Sequence, residues 1–224
     1  MRFFQPSLIF TALLLVSRLA QAVPVITNAP SFTGDNIGSF TSVGGTGATI
    51  IGQDFVATGS EVQLDSFSLS IFNGGAQAFR AYVQQWDAVG NVLVGGVLFQ
   101  SAIQNTVVGA NVFNTGGLLL TPGTHYLAYF STIGAGLPAP DNDNFSYIAT
   151  PPVNANLGGL HYSNVATIGD NSSWDYNGSF ASSQLLFTAN LSAAFGAPEL
   201  DGTRSTLPLM CAGILFACGV RRRR

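Results

Sequence analysis

The sequence predicts an all-β protein, and three observations support this class. Between positions 23 and 196, short apolar runs alternate with turns rich in Gly, Asn, Ser and Thr roughly every 8–12 residues, as in β-sandwiches and barrels. No helical periodicity of useful length interrupts these runs. Only 8% of the 224 residues are charged, which excludes a charge-rich disordered chain and a coiled coil. The stretch 23–196 therefore suits one domain with a substantial core.

The strands of this stretch can be predicted in order from their apolar patterns. They are expected at 53–58, 61–72, 78–87, 91–99, 125–132 and 184–195. The last of these has the clearest period-two alternation. In the second, Val62 and Leu64 have one parity and Phe67, Leu69 and Ile71 the other, and a bulge near Asp65 and Ser66 would restore a single inward face. The third and fourth read as a hairpin. The fifth follows Thr121-Pro122-Gly123, is apolar on both faces, and is expected to be central.

The region 133–183 has a different composition. Gly, Pro, Asn and Asp are frequent there, with scattered aromatic residues. We expect long loops and short edge strands, and loops of this kind carry function in many β-sandwiches.

The first 22 residues fit a secretory signal peptide. Arg2 supplies the basic start, Leu8 to Val16 a short apolar segment, and Ala20-Gln21-Ala22 a cleavage site of small residues. The alternative, a membrane anchor, needs a longer apolar run than Arg18 allows.

The last residues form a second apolar segment. Leu207 to Val220 is followed by four arginines, Arg221, Arg222, Arg223 and Arg224. A membrane helix of about 205–220 is expected, because the arginine side chains extend the span toward the roughly 30 Å of a bilayer core. The positive-inside rule keeps the arginines in the cytoplasm and places the middle of the chain outside.

This tail resembles a PEP-CTERM sorting signal. The matching parts are Ala197-Pro198-Glu199-Leu200-Asp201, the apolar helix and the basic tail 221–224, so that residues 197–224 make up the signal. The resemblance covers Pro198 and Glu199 of the motif, while Leu200 stands where the family has a second Pro, so this is a variant tail. A GPI attachment signal is the main alternative, although a terminal arginine cluster is unusual in it.

The PEP-CTERM resemblance implies a partner and a route. An exosortase, which is an integral-membrane cysteine transpeptidase of Gram-negative bacteria that make exopolysaccharide, would process the tail near Pro198 and Glu199. The inner membrane would hold the precursor before processing. The mature protein would then reach the cell surface or the extracellular matrix.

The stretch 23–196 resembles the ectodomains of other exosortase-dependent proteins. The matching segments are 52–55, 64–67, 79–83 with Trp86-Asp87, and 120–123 with Tyr126. The resemblance implies a single jelly-roll-like antiparallel β-sandwich of the shape used by carbohydrate-binding modules. Because fold does not imply function, it implies no activity.

The charge of this stretch excludes several classes of protein. This stretch contains one cationic residue, Arg80, and nine acidic residues, so its formal charge is −8. This charge speaks against nucleic-acid binding. We expect Arg80 to pair with an acid such as Asp65 or Asp87. Lys and Cys are missing here, so no Schiff base or thiol nucleophile is available, and no catalytic motif appears. His125 and His161 are expected to be structural, hydrogen-bonded residues. We therefore expect no enzyme and no catalytic residue.

Two groups of residues are candidates for ligand binding. Asp141, Asn142 and Asp143 alternate acid and amide oxygens, which Ca²⁺ prefers, although the EF-hand pattern is not met and a solvated loop is the plainer interpretation. Calcium is the one candidate cofactor. The second group is aromatic: Trp86, Trp174, Tyr176 and Tyr162 are candidates for a platform that stacks on sugar rings, with the alternative that the tryptophans fill core or loop positions.

Taken together, these features predict an exported, exosortase-sorted surface or matrix protein with a structural or adhesive role in exopolysaccharide or biofilm. A carbohydrate-binding module, with or without calcium, is the alternative, and extracellular polysaccharide is then its partner. A polysaccharide-active hydrolase is the third.

Overall fold

The computed structural model describes residues 25–28, 36–41, 47–58, 62–73, 77–136, 143–148, 154–168, 174–175 and 183–193. Within these ranges the protein is all β, with fourteen strands and no helix. In chain order the strands are β1 (Val25–Thr27), β2 (Asn36–Phe40), β3 (Ile50–Val56), β4 (Val62–Asn73), β5 (Ala78–Asp87), β6 (Val92–Gln100), β7 (Gln104–Asn105), β8 (Gly109–Leu120), β9 (His125–Ser131), β10 (Asp143–Ile148), β11 (Leu157–Ser163), β12 (Trp174–Asp175), β13 (Gln184–Leu185) and β14 (Phe187–Ala193).

The strands form two antiparallel sheets. The first sheet has the order β1-β14-β4-β10-β13, with β2 beside β10 and β8 beside β4. The second has the order β12-β11-β3-β9-β5-β6, with β7 beside β5. Aromatic rings from the two sheets meet between them, as in the pair Phe55 and Phe187, whose ring centroids are 5.5 Å apart. The sheets thus enclose one main core, and the predicted β-sandwich is confirmed.

The parity change in the second predicted strand is confirmed as a bulge in β4. The register of β4 against β8 shifts between Leu64 and Ser66, and its register against β14 shifts at the same level. Two apolar side chains before the bulge and three after it are buried together: Val62, Leu64, Phe67, Leu69 and Ile71. The extra residue at the bulge therefore lets apolar side chains at even positions before it and at odd positions after it point into the same core.

Strand β9 is central, as its two-sided apolar pattern predicts. It lies between β3 and β5 in the second sheet. Tyr126, Ala128 and Phe130 face the main core, while Leu127 and Tyr129 belong to a separate cluster on the other side of the sheet. The second sheet is therefore covered on both faces.

Several elements differ from the sequence prediction. Strand β3 begins at Ile50, three residues before the predicted start. Strand β8 pairs with β4 along almost its whole length but was not predicted, because its Gly and Asn residues hide the alternation. Strand β11 falls in the region expected to hold loops and edge strands, yet it is flanked by β3 and β12. Two adjacent glycines in β11 obscure its period.

The predicted terminal segments, at 1–22 and about 205–220, lie outside the described residues. The described ranges contain no helix that is long and apolar enough to span a membrane.

The two central strands of the second sheet approach each other closely at Gly52. This residue pairs with Tyr129 across β3 and β9. A Cβ at position 52 would lie 2.6 Å from the Tyr129 Cβ and 2.7 Å from the Ala128 carbonyl oxygen. These are distances that packed atoms do not tolerate, so position 52 needs a residue without a side chain.

Gly52→Ala is expected to destabilise the fold by about 1–3 kcal/mol or more, because the added methyl group meets backbone as well as side-chain atoms. Gly96→Ala is the matched control, since a Cβ there meets nothing within 4 Å. The control should change the free energy of unfolding by no more than about 0.5 kcal/mol. Urea denaturation of both variants measures the difference, and equal effects at the two positions would contradict the close approach.

Candidate functional site

The outer face of the second sheet carries a second cluster of buried apolar side chains. We call it the outer aromatic cluster, and its members are Ile50, Tyr82, Trp86, Leu93, Leu127, Tyr129, Val165 and Trp174. The cluster arises because successive side chains of a β-strand point to opposite faces of the sheet. Alternate residues of β5 and β9 point into the main core, and the residues between them point to this face.

The rings of this cluster are arranged in contact with one another. Tyr82 and Tyr129 stack with centroids 5.0 Å apart and planes 12° apart. Trp86 and Trp174 meet edge to face at 5.3 Å. The Tyr129 hydroxyl donates a hydrogen bond to the Gln84 side chain at 3.2 Å. Burial raises the pKa of both tyrosines, so the hydroxyls stay neutral at physiological pH.

The platform predicted for sugar rings is only partly assembled in this form. Trp86 and Trp174 are together, but they are 2% and 9% exposed, and each contacts other aromatic rings. Tyr162 packs against the main core instead. Tyr176 lies outside the described residues. The structure thus brings two of the four aromatic candidates together and separates a third from them.

His161 lies against this cluster on β11. Its ring centroid is 4.4 Å from that of Trp86, and the residue is 2% exposed. Burial lowers the pKa of His161 from 6.5 to about 4. The imidazole is therefore neutral at physiological pH, because a charged ring at this position would lose most of its hydration.

A second polar feature of the same face is the pair formed by Asp54 and His125. The His125 Nδ1 lies 3.0 Å and 3.3 Å from the two carboxylate oxygens of Asp54. The side chain of Asp54 is 5% exposed and that of His125 is 38% exposed. His125 pairs directly with Val56, so Asp54 is its diagonal neighbour on the same face of the sheet.

Asp54 is enclosed by the backbone of β11. A Cβ at Gly158 would lie 2.1 Å from the Asp54 Oδ2, so only glycine leaves room for this carboxylate. Burial raises the pKa of Asp54 above its ordinary value, and the hydrogen bond and charge of His125 offset part of this rise.

The pair has two of the parts that proton-transfer sites use. A carboxylate bound to Nδ1 fixes the ring and leaves Nε2 as the atom that accepts or releases a proton. In the part of the chain that the structure describes, Asp54 is the hydrogen-bond partner of His125, and no hydroxyl group joins them. The arrangement holds and orients an imidazole.

The sequence predicts a structural role for His125 but does not single out Asp54 as a site residue. The signal was an acidic residue inside an apolar run, Gly52-Gln53-Asp54-Phe55. A charge at such a position needs a partner, yet only the register of β3 against β9 shows which residue supplies it.

The pairing expected for Arg80 is wrong for the described residues. Its guanidinium donates to the Ser101 carbonyl oxygen at 3.2 Å. Asp65 accepts a hydrogen bond from Ser192 at 2.9 Å. Asp87 accepts the two backbone amides of its own turn, which lowers its pKa. Among the described residues, Arg80 thus bonds to a backbone carbonyl group next to β6 and forms an ion pair with neither acid.

The predicted calcium loop falls largely outside the described residues. This is true of Asp141 and Asn142. Asp143 begins β10, where it pairs with Phe40, so it lies in a strand and not in a loop. Among the described residues, no three His, Cys, Asp or Glu side chains come together as a metal site would need. The sorting residues Pro198, Glu199 and Arg221 to Arg224 also lie outside the described ranges.

Comparison with known proteins gives no family. No protein-family model matches the chain, and the search of curated proteins finds no match. Among solved structures, the cysteine protease and lectin-like domains of Cwp84, a surface layer associated protein of Clostridium difficile, match with 11% identity and a TM-score of 0.45. That match covers 65% of this chain and 32% of the other. The clostridial cysteine protease Cwp84 after propeptide cleavage matches with 14% identity and a TM-score of 0.45, over 71% and 38%. The chain spans about a third of the length of each.

The buried state of His161 predicts a loss of stability in acid. The folded protein keeps this ring neutral to about pH 4, whereas the unfolded chain takes up the proton near pH 6.5. Stability is therefore full above pH 6.5 and falls as the pH drops toward 4, by up to about 3 kcal/mol. The free energy of unfolding of the wild type, measured at pH 7 and pH 4, should differ by more than that of His161→Gln.

The comparison of these two proteins also provides its own control. Asp54 has a raised pKa, so its contribution to stability rises as the pH falls, opposite in sign to that of His161. Because both proteins contain Asp54, its effect cancels in the difference. Equal pH dependence in the wild type and His161→Gln would show that His161 does not titrate as a buried residue.

Proposed function

We propose that this chain is an exported, exosortase-sorted protein of the cell surface or extracellular matrix of a Gram-negative bacterium. Its role is structural or adhesive within exopolysaccharide, and it is not an enzyme. The observation that carries the proposal is the layout of the tail: Pro198-Glu199, a spacer, an apolar segment and four terminal arginines. The signal-peptide pattern of residues 1–22 supports the same route.

The proposed route has three steps. The signal peptide directs export and is removed. The helix at about 205–220 then holds the precursor in the inner membrane, with Arg221 to Arg224 on the cytoplasmic side. An exosortase finally processes the chain near Pro198 and Glu199, and the mature part is released or transferred. The ectodomain that results is a jelly-roll-like sandwich in this proposal.

The use of buried polar groups supports a structural role. Gln53 of the second sheet donates to the Gly158 carbonyl oxygen at 3.0 Å and accepts from the Leu185 amide of the first sheet at 2.8 Å. Asn28 accepts from the Phe187 amide at 2.9 Å. These buried amide groups tie strands together and are not presented to a substrate.

Deletion of the exosortase should leave the precursor unprocessed, because recognition of the tail would be lost. The intact mass of the protein, measured by mass spectrometry in the wild-type and deleted strains, tests this directly. The double variant Pro198→Ala and Glu199→Ala should behave like the wild-type protein in the deleted strain. Thr203→Ala, which lies between the motif and the apolar segment, is the control and should be processed normally. Identical masses in both strains would contradict sorting by an exosortase.

The alternative function is a carbohydrate-binding module, and the paired tryptophans of the outer aromatic cluster favour it. Trp174 lies on β12, the two-residue strand at the edge of the second sheet, and its ring meets that of Trp86 edge to face. An indole ring next to polar groups is what a sugar-stacking site requires.

A glycan array with and without EDTA tests this alternative. If the chain binds a glycan through this cluster, Trp174→Ala should weaken binding at least about tenfold, which corresponds to about 1.4 kcal/mol. Leu93→Ala is the control, because it removes another buried member of the same cluster without removing an aromatic ring. Absence of binding to every glycan, or equal losses in the two variants, would speak against a sugar site at Trp174. Loss of binding in EDTA would indicate that calcium takes part.

A further inference from the structure

One side of the sandwich has an unusual surface. On this side β6 and β7 run along β5 at the border of the second sheet, and β8 runs along β4 at the border of the first. We call residues 92–120, which contain these three strands, the uncharged edge. The two borders lie close together, since Phe99 of β6 packs edge to face on Phe67 of β4 at 5.9 Å.

Exposed apolar side chains are concentrated on this edge. Ten large apolar residues are exposed among the described residues, and eight of them belong to it: Val94, Val97, Leu98, Ile103, Val107, Val108, Val112 and Leu119. The other two are Val25 and Val89. A concentration of this kind marks an interaction surface, because single exposed apolar residues are normally scattered.

The backbone of the same edge is also available for pairing. In the described part of the chain, β6 forms ladder pairs with β5 alone and β8 with β4 alone. The outer side of β8 therefore presents N–H and C=O groups to another strand. Natural edge strands are usually protected by Lys, Pro or inward charges, and residues 92–120 contain no charged residue and no proline.

The two edge strands differ in how regular they are. The register of β6 against β5 shifts between Val83 and Gln85, so residues 95–98 leave the ladder. Strand β8 pairs with β4 without interruption from Gly109 to Asn114. The outer side of β8 is therefore the better template for another strand, and the residues displaced from β6 add apolar side chains beside it.

The charge distribution of the chain selects the occupant. No Asp, Glu, Lys or Arg occurs between Asp87 and Asp141, whereas the stretch 23–196 as a whole carries −8. Two copies repel each other on their acidic surfaces and meet without repulsion at this edge. A lipid surface would cover the apolar side chains but leave the strand N–H and C=O groups without partners.

We propose that the uncharged edge is the surface on which a second copy of this chain docks, with β8 of one copy antiparallel to β8 of the other. A two-fold pairing of this kind covers the exposed side chains of both copies with one self-complementary patch. The inference supplies the partner for the structural role proposed above, and rests on that role for its biological purpose but not for its physical basis.

The chain is purified from a host that exports it, and its mass is verified. Sedimentation then measures self-association between about 1 µM and about 1 mM, the range of weak to moderate protein complexes. The double variant Val97→Lys and Val112→Lys places two cations on each copy at the edge. Val25→Lys with Val89→Lys adds the same charge at two valines outside it, which are 47% and 95% exposed. The edge variant should weaken dimer formation at least about tenfold, and the control should leave it within about twofold of the wild type.

A photo-reactive residue then locates the contact. Placed at position 112, it should give a product of twice the chain mass, and placed at position 25 it should not. Association by any other part of the chain would persist in the edge variant and would overturn the inference. So would a wild type that stays monomeric throughout, or cross-linking of position 112 to a different protein or to lipid. Neither measurement depends on an exosortase, so a failure here is distinct from a failure of the proposed sorting.

Discussion

The arrangement of this protein depends on one strand that is apolar on both faces. Strand β9 contributes Phe130 to the main core and Tyr129 to the opposite side of the same sheet. A sheet with such a strand at its centre has to be covered twice, because Tyr129 would otherwise lie in water. The outer aromatic cluster provides the second cover, and Gly52 provides the space in which Tyr129 lies against β3.

This second cover determines the state of the polar groups beside it. His161 is kept neutral because it is buried against Trp86. Asp54 lies on the same face, two residues further along β3 than the residue opposite His161. There Gly158 lets the carboxylate fit, and the partly exposed His125 provides its partner. The two histidines of the chain therefore have opposite environments, one enclosed by apolar rings and one bound to an acid at the border with water.

The sequence predicted those features of the fold that depend on the residue pattern of a single strand or turn. The bulge in β4 follows from the parity of its apolar residues, the hairpin of β5 and β6 from the short turn between them, and the central position of β9 from its two apolar faces. Contacts between distant strands could not be derived in this way. The Asp54–His125 pair depends on the register of β3 against β9, and the contact of Trp86 with Trp174 depends on β12 reaching the face of β5. Period two in one segment does not determine register with another.

Strand β8, which forms part of the uncharged edge, was also hard to predict from its own sequence. Its glycines and asparagines weaken the alternation that would have identified it, yet it is one of the two longest strands. A strand of this length at a border needs either a cover or charges to remain single. The chain instead places its acids on other segments, with none between Asp87 and Asp141. The low charge of the whole sequence is thus unevenly distributed: acidic surfaces keep copies apart in most orientations, and one uncharged side defines the orientation in which a strand can be shared.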